Sequence, residues 1–220
     1  MAPHASTDNP VEPAPPLAAA GFAEALIHRR QTILPKRLVA PGPDAAQTRA
    51  LFDAAAQAPD HHQLLPWRFI LVPLAARPQL AEAFAAALLT RDAAATPEQL
   101  AQAREKAFRA PWLALAVARL RDGDADVPPQ ERIVSAGCAL QNLLLMAQAQ
   151  GFGAALTSGK ALASAPLRAL FGLGPDEQAL CFVSVGSVAR ARPARERPAP
   201  ERFVSTLGQG DGVWPRAPLA

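Results

Sequence analysis

Arg29 and Arg30 form the first group of residues in this chain that could do chemistry. Arginine presents a planar fork of N–H donors that matches phosphate oxygens, so the pair could clamp a phosphate group. The pair also closes a predicted helix, where two cations stabilise the helix dipole without any ligand. Taken alone, the pair leaves both interpretations open.

A second candidate is the segment from Ala58 to Phe69, which reads APDHHQLLPWRF. It joins a predicted helix to a predicted buried strand and is rich in polar donors. Loops on a rigid scaffold are where binding and catalytic residues concentrate. The alternative is an ordinary connection in which Trp67 packs into the core.

A third candidate is the segment GFGAALTSG from Gly151 to Gly159. Gly151 can adopt the left-handed conformation that ends a helix. Gly153 and Gly159 would let the backbone approach a flat ligand closely, and Thr157 and Ser158 add hydroxyl groups. By itself, the segment is also typical of a helix-to-strand turn.

Familiar catalytic and metal signatures are absent from the sequence. It contains no G-x-S-x-G, Walker loop, H-E-x-x-H or G-x-G-x-x-G motif. His61 and His62 are adjacent, but two histidines make no metal cage without further ligands. Asp122, Asp124 and Asp126 alternate as in a calcium loop, yet the glycine and the closing glutamate are missing. We therefore expect no metal and an acidic surface turn.

Composition bounds the class of protein. The 220 residues carry a formal charge of +3, and half are hydrophobic while 19% are charged. This mixture excludes a disordered chain, a collagen and a disulfide scaffold, and the mild charge argues against a nucleic-acid coat. Cys138 and Cys181 stand far apart in apolar runs, which predicts free buried thiols. Neither a targeting signal nor a membrane-length apolar run is visible, so the expected location is cytoplasmic.

Helical and strand patterns alternate between the two ends of the chain. Two helices often separate consecutive strands, which favours an α+β fold over regular βαβ winding. The apolar surface of the helix at 130–150 covers more than one face, so we expect it in a large core or between subunits. The predicted helices span about 17–30, 44–58, 75–89, a segment starting at Thr96, 130–150 and 164–171, and the predicted strands span 67–72, 111–118 and 178–187.

The two ends of the chain differ from its body. Residues 1–16 are rich in proline, which predicts a disordered arm, and residues 17–190 form the expected single domain. Residues 191–220 are rich in proline and arginine and are expected to form an extended strap around a partner subunit. An RNA-binding tail is the alternative, although Glu196 and Glu201 interrupt the arginines and no aromatic residue is interleaved to stack bases.

In their order and spacing, the segments between residues 20 and 190 together resemble the nitroreductase-like flavoprotein family, especially its short bacterial NAD(P)H nitroreductase branch. The resemblance implies an α+β fold with a central, mostly antiparallel or mixed sheet flanked by helices. It also implies a homodimer that holds FMN in clefts between its subunits. The matching segments are IHRR, APDHHQLLPWRF, RAPW, VPPQE followed by SAGCALQNLL, AQAQGFGAALTSG and LGPDEQALCFVSVG.

The resemblance also assigns residues to the cofactors. It places Arg29, Arg30 and Gln31 at the FMN phosphate and ribityl end. Gln57 and His61 correspond to further flavin contacts, with Gln57 reaching across the dimer. Thr157, Ser158 and Gly159 correspond to a third stretch that contacts the flavin. A last segment corresponds to one that the family assigns to NAD(P). This last segment consists of Ala147, Gln148, Ala149, Gln150, Gly151 and Phe152.

Three positions depart from the family pattern. Gln31 stands where the family commonly has serine, Gln57 where it often has arginine, and Leu65 where glutamine often precedes the Pro-Trp pair. The change at Gln57 removes a positive charge, and the longer amide of Gln31 changes the donor geometry. The strength of FMN binding therefore stays open.

The implied activity needs no catalytic side chain, because a flavin carries the chemistry. The resemblance implies an oxidoreductase in which NADH or NADPH reduces FMN and a small acceptor is then reduced in a ping-pong mechanism. Nitroaromatics, quinones and activated alkenes are the implied acceptors, and basic side chains would stabilise the reduced flavin. The alternative is an FMN-binding or flavin-sequestering protein with little turnover. No motif selects between NADH and NADPH or names the physiological acceptor.

Overall fold

The computed structural model describes residues 16–121, 123–124, 126–190 and 195–205. The expected disordered arm lies outside these residues except for Pro16, which begins the first helix. The helices are α1 (Pro16–Arg29), α2 (Ala45–Ala55), α3 (Arg77–Arg91), α4 (Pro97–Glu105), α5 (Pro129–Ala149) and α6 (Ala165–Leu170). The strands are β1 (Leu38–Val39), β2 (Trp67–Leu71), β3 (Trp112–Arg119), β4 (Gly153–Thr157) and β5 (Glu177–Val188).

Local capping sets where the helices begin and end. The Asp44 carboxylate accepts the N–H of Gln47 at 2.8 Å, while the Gln47 side chain accepts the N–H of Asp44 at 3.0 Å. The same reciprocal arrangement joins Thr96 and Gln99 at the start of α4. These capping boxes confirm the two predicted helix starts. Helix α2 ends three residues before the expected Ala58, because its last carbonyls are already closed by a tight turn.

The sheet is antiparallel throughout its named strands. Strand β5 pairs with β1, β3 and β4, and β2 pairs with the other edge of β3. Strand β1 was not predicted, because two residues are too few to show an alternating pattern. The α+β class and the antiparallel sheet flanked by helices are confirmed.

The alternation of β3 builds a core on both faces of the sheet. Its alanines at 114, 116 and 118 lie in one cluster with residues of α2 and α5, including Leu51 and Leu143. Its larger residues at 113, 115 and 117 lie in a second cluster with residues of α3 and α6, including Leu80 and Leu167. Since all six positions are buried, β3 is the centre of a helix–sheet–helix arrangement.

The chain divides into two compact units at the boundary between Arg190 and Ala191. In the described part of the second unit, residues 195–199 have no regular structure, and a 3-10 turn follows at Pro200–Arg202. The rest of the expected strap lies outside the described residues. Among the helices in the described part of the chain, none has the length and apolarity needed to cross a bilayer.

Candidate functional site

One face of the first unit contains a cavity of about 740 Å³. This volume lies within the range of roughly 300–1,000 Å³ that is typical of small-molecule and cofactor sites. Helices α3 and α4, the turn after α4 and the end of β4 all contribute to its wall. Apolar surface comes from Phe84, Leu88 and Phe182, and hydroxyl groups come from Thr157 and Ser158. The cavity can therefore hold a flat, partly apolar ligand.

The charged residues that line the cavity in the described part of the chain are all basic. No aspartate or glutamate lines it among the described residues. Of the six basic residues, only Arg109 forms an ion pair within the described chain, through its Nε to a Glu105 oxygen at 2.7 Å. A cavity with unneutralised cations attracts anionic ligands. The six residues are Lys36, Arg77, Arg91, Lys106, Arg109 and Lys160.

Arg77 is the buried member of this cationic set, with 1% of its surface exposed. Its Nε donates to the Val72 carbonyl at 2.8 Å, and its Nη1 donates to the Ala107 carbonyl at 2.6 Å. Burial lowers the pKa of this guanidinium from its ordinary value. These two backbone hydrogen bonds hold the side chain at the cavity wall without neutralising its charge.

The predicted phosphate segment leads directly to this cavity. Helix α1 ends at Arg29, and Thr32 then forms a parallel bridge with Ala154 of β4. The next N–H, from Ile33, donates to the Ala154 carbonyl at 3.0 Å, and residues 34–36 line the cavity. Arg29, Arg30 and Gln31 themselves do not line it. The segment is thus fixed beside β4, whose other end carries Thr157.

The second predicted flavin segment lies elsewhere in the chain. His61 Nδ1 is 2.6 Å from a Glu131 oxygen, and the neighbouring His62 Nδ1 is 2.6 Å from an Asp124 oxygen. Gln57 is exposed beyond the end of α2. Neither Gln57 nor His61 lines the cavity. The cavity of a single chain therefore contains Thr157, Ser158 and Gly159 in its lining but neither Gln57 nor His61.

The backbone of this loop is held in an uncommon conformation. His62, Gln63 and Leu65 have positive φ angles of 57°, 53° and 48°. The Asp60 carboxylate accepts the N–H groups of Leu64 at 3.1 Å and Leu65 at 2.8 Å. Residues other than glycine adopt the left-handed backbone conformation mainly where the surrounding structure stabilises it. The carboxylate of Asp60 and the two histidine contacts supply that support.

The segment predicted to bind NAD(P) lies at the end of α5 and the start of β4. Ala147 and Phe152 are buried in the core, and Gly151 makes the left-handed turn at φ 83°. The Gln150 side chain donates through Nε2 to the Gln47 carbonyl at 3.2 Å. None of the six residues of this segment lines the cavity, and their contact with a nicotinamide nucleotide stays a prediction.

The cysteines are free, as the sequence predicted, but the predicted burial is confirmed only for Cys181. Cys181 is buried, and Cys138 is half-buried. Burial raises the pKa of the Cys181 thiol to about 11, so this thiol stays protonated at neutral pH. A protonated, buried thiol is a poor nucleophile.

Sequence reasoning did not find the basic residues of the cavity. All the lysines of the chain, Lys36, Lys106 and Lys160, line it. They lie in three separate segments, so no local motif predicts that they line one cavity. The scarcity of lysine was the one available signal, since three lysines in an arginine-rich chain share one location.

A buried antiparallel sheet between helices defines an α+β protein, and its basic cavity has the size and charge suited to a small anionic molecule. Comparison with known proteins specifies this class further. The sequence matches the Nitroreductase family over residues 27–187. The chain therefore belongs to the nitroreductase family and is an oxidoreductase, which confirms the resemblance seen in its motifs.

Individual relatives agree with this assignment. The chain is 38% identical over 152 residues to a candidate NAD(P)H nitroreductase of Haemophilus influenzae, across 69% of this chain and 82% of that protein. It is 33% identical over 185 residues to the candidate NAD(P)H nitroreductase YdjA of Escherichia coli, across 83% of this chain and 97% of that protein.

Solved structures share the fold at lower identity. The nitroreductase-like family protein of Bacillus cereus matches with a TM-score of 0.71 at 16% identity, over 84% of this chain and 96% of that one. The FMN and NADPH-dependent nitroreductase NfnB of Sphigopyxis sp. strain HMH matches with a TM-score of 0.66 at 19% identity. That match covers 85% of this chain and 99% of NfnB.

Proposed function

We propose that this protein is an FMN-dependent oxidoreductase that uses NADH or NADPH to reduce nitroaromatics, quinones or similar acceptors. The observation that carries the proposal is the cationic cavity, because it combines cofactor size with positive charge and with residues that the family resemblance assigns to the flavin. Thr157, Ser158 and Gly159 all line it.

The residues of the cavity fit FMN. An isoalloxazine ring is flat and largely apolar, and the wall offers aromatic and aliphatic surface from Phe84, Leu88 and Phe182. The phosphate of FMN is anionic, and Arg29 and Arg30 stand at the start of the segment that runs along β4 into the cavity rim. With no described carboxylate in the lining, nothing there repels an anionic cofactor.

A homodimer would complete the site. Apolar side chains are exposed on α1 and α5: Phe22 is 68% exposed and Val134 is 66% exposed. Gly137 and Gln141, which follow Val134 at helical spacing, are exposed as well. Pairing of such surfaces between two copies would bury apolar area. We propose that it also brings Gln57 and His61 of one copy to the cavity of the other.

The residues of the chain would bind and orient the flavin and neutralise its negative charge. Hydroxyl and backbone groups of Thr157–Gly159 would position the flavin ring. Lys160 would oppose the negative charge that reduction places in the cavity, which is electrostatic stabilisation by a preorganised donor. When bound, FMN supplies transfer of two electrons from the nicotinamide to the acceptor. Because both substrates would use one cavity in turn, ping-pong kinetics are expected.

The test is the absorption spectrum and flavin reduction of the purified full-length protein. We expect one FMN bound per chain and loss of its visible absorption on mixing with NADH or NADPH in a stopped-flow instrument. Steady-state rates should then give parallel double-reciprocal lines with menadione as the acceptor. A protein that binds no FMN in calorimetry would contradict the proposal.

The same experiment separates the second candidate function. Gln31 and Gln57 replace a commonly found serine and arginine, which favours a protein that holds FMN without rapid turnover. Stoichiometric FMN that neither nicotinamide reduces within minutes would indicate flavin sequestration, whereas rapid reduction would exclude it.

A further inference from the structure

The cavity contains more positive charge than FMN requires. The phosphate of FMN carries about two negative charges near neutral pH. The residues expected to bind that phosphate, Arg29 and Arg30, lie outside the cavity lining. Six further basic residues line the cavity, so its charge is not accounted for by the cofactor phosphate.

Most of this charge has no hydrogen-bond or ion-pair partner among the residues that the structure describes. Lys36, Arg91, Lys106 and Lys160 form no hydrogen bond or ion pair through their side chains with any other residue in the described ranges. Exposed lysines elsewhere on a protein are commonly solvated singly, but here they converge on one concave surface. Low-dielectric walls strengthen the field of converging charges and raise the local concentration of anions.

Arg77 is the one buried cation among the basic residues described in the cavity lining. Its Nε and Nη1 are used by the Val72 and Ala107 carbonyls, while Nη2 donates to no group in the described part of the chain. A buried guanidinium without a carboxylate partner is destabilised by the loss of water around its charge. An anionic group in the cavity would relieve that cost and would meet a donor whose orientation the two carbonyls already hold.

We propose that this cavity selects electron acceptors that carry a carboxylate or a similar compact anion on their aromatic or quinone ring. The proposal rests on the function proposed above and names its substrate class. The anionic substituent would bind among Arg77 and the unpaired cations and would itself stay chemically unchanged. For a nitro acceptor the first reduction consumes NADPH, one proton and the nitro compound, and it yields NADP⁺, the nitroso compound and water.

The first measurement compares acceptors that differ only in charge. We expect kcat/KM for para-nitrobenzoate to exceed that for para-nitrobenzamide by about tenfold, which corresponds to one charge-assisted hydrogen bond. Because the amide withdraws electrons more strongly than the carboxylate, intrinsic reactivity would give the opposite order. The ratio should fall as salt rises from about 0.02 to 0.5 M, since counter-ions screen the attraction.

The second measurement is direct binding, without turnover. Calorimetry of the FMN-loaded protein should give a Kd for naphthoate about tenfold below that for naphthamide. In Lys106→Gln this preference should fall by at least about threefold, while the FMN content stays at the wild-type level. The control is Arg104→Gln, which removes one positive charge two residues before Lys106, in the last turn of α4, but lies outside the lining, where it pairs with Glu82.

Each other outcome identifies a different use for the charge. Equal kcat/KM and equal Kd for the charged and neutral probes would overturn the proposal while leaving the oxidoreductase function intact. If Lys106→Gln alters only the NADPH-to-NADH preference, the charge serves the nucleotide phosphate, and the proposal is wrong. Loss of FMN from that variant would assign the charge to the cofactor, with the same consequence. A wild-type protein that oxidises neither nicotinamide with any acceptor contradicts the proposed function itself.

Discussion

At the scale of single residues, the His61 side chain makes a close polar contact with a carboxylate. Its Nδ1 lies 2.6 Å from an oxygen of Glu131, which stands in the first turn of α5. The carboxylate accepts a hydrogen bond from Nδ1–H, and the other ring nitrogen, Nε2, is then directed away from Glu131. In the proposed dimer, this contact would fix the ring that reaches the flavin of the other copy. Glu131 would then be a positioning residue.

The substitution Glu131→Gln tests this role. We expect it to raise the Kd for FMN by about threefold, because a charge-assisted hydrogen bond that orients His61 becomes a weaker neutral one. Fluorescence quenching during FMN titration measures the change. Asp124→Asn is the matched control, since it alters the same kind of contact at His62, which is not predicted to touch the flavin. An unchanged Kd in Glu131→Gln would remove the positioning role.

At the scale of elements, an ion pair links the two strands on either side of β3. Arg68 of β2 donates through Nε at 2.6 Å and through Nη2 at 2.8 Å to the two carboxylate oxygens of Glu177, the first residue of β5. The Gly174 N–H donates to the same carboxylate at 3.1 Å. The hydrogen bonds from Arg68 are the main cause that holds the pKa of Glu177 below its usual value. The pair therefore joins β2 to β5 across β3, at the end of the sheet where β5 begins.

This contact predicts a pH-dependent loss of stability in Glu177→Gln. A carboxylate with a depressed pKa in the folded protein stabilises above its unfolded pKa, near 4.3, and loses this effect as the pH falls through the folded value. At about pH 7 we expect the free energy of unfolding in urea to fall by about 1 kcal/mol, since the partly exposed Arg68 limits the gain.

The difference between Glu177→Gln and the wild type should shrink below about pH 4, where the wild-type carboxyl begins to protonate. Glu82→Gln is the control, because Glu82 makes a similar two-point contact with Arg104 at a more exposed site. We expect no measurable change in that variant. A pH-independent difference in Glu177→Gln would show that the side chain acts through packing instead of charge.

Elements with local signals could be predicted from the sequence, and contacts between distant segments could not. Asp44 and Thr96 predict helix starts, because each accepts the N–H of a residue only three positions later. Strand β1 has too few residues for a pattern. His61 meets Glu131 seventy positions later, and the three lysines of the cavity converge only through the fold. The motifs therefore indicated the family, whereas the positive charge of the cavity could be recognised only from the folded structure.

At the scale of the whole molecule, the exposed face of α5 is the surface that the proposed dimer would bury. Val134 and the positions that follow it at helical spacing face solvent in the single chain, while the opposite side of α5 is buried against the sheet. Helix α1 packs against α5 and exposes Phe22 and Ile27. Burying one large apolar side chain yields about 1.5–3 kcal/mol, so several together could hold a dimer.

The substitution Val134→Glu tests the proposed dimer and its link to the cofactor. A buried, unpaired carboxylate at the interface would cost several kcal/mol. Light scattering should then give the mass of one chain, 23.1 kDa, whereas the wild-type protein should give twice that mass. Because Gln57 and His61 would leave the cavity of the other copy, FMN affinity should fall by at least about tenfold in the same variant.

Leu74→Glu is the control for the added charge, since Leu74 is 71% exposed and lies on the short turn before α3 instead of on α1 or α5. It should leave both the mass and the FMN affinity at wild-type values. If Val134→Glu stays dimeric, α5 does not carry the interface. If it becomes monomeric and still binds FMN as tightly as the wild type, a single chain holds the cofactor, and Gln57 and His61 have no role across subunits.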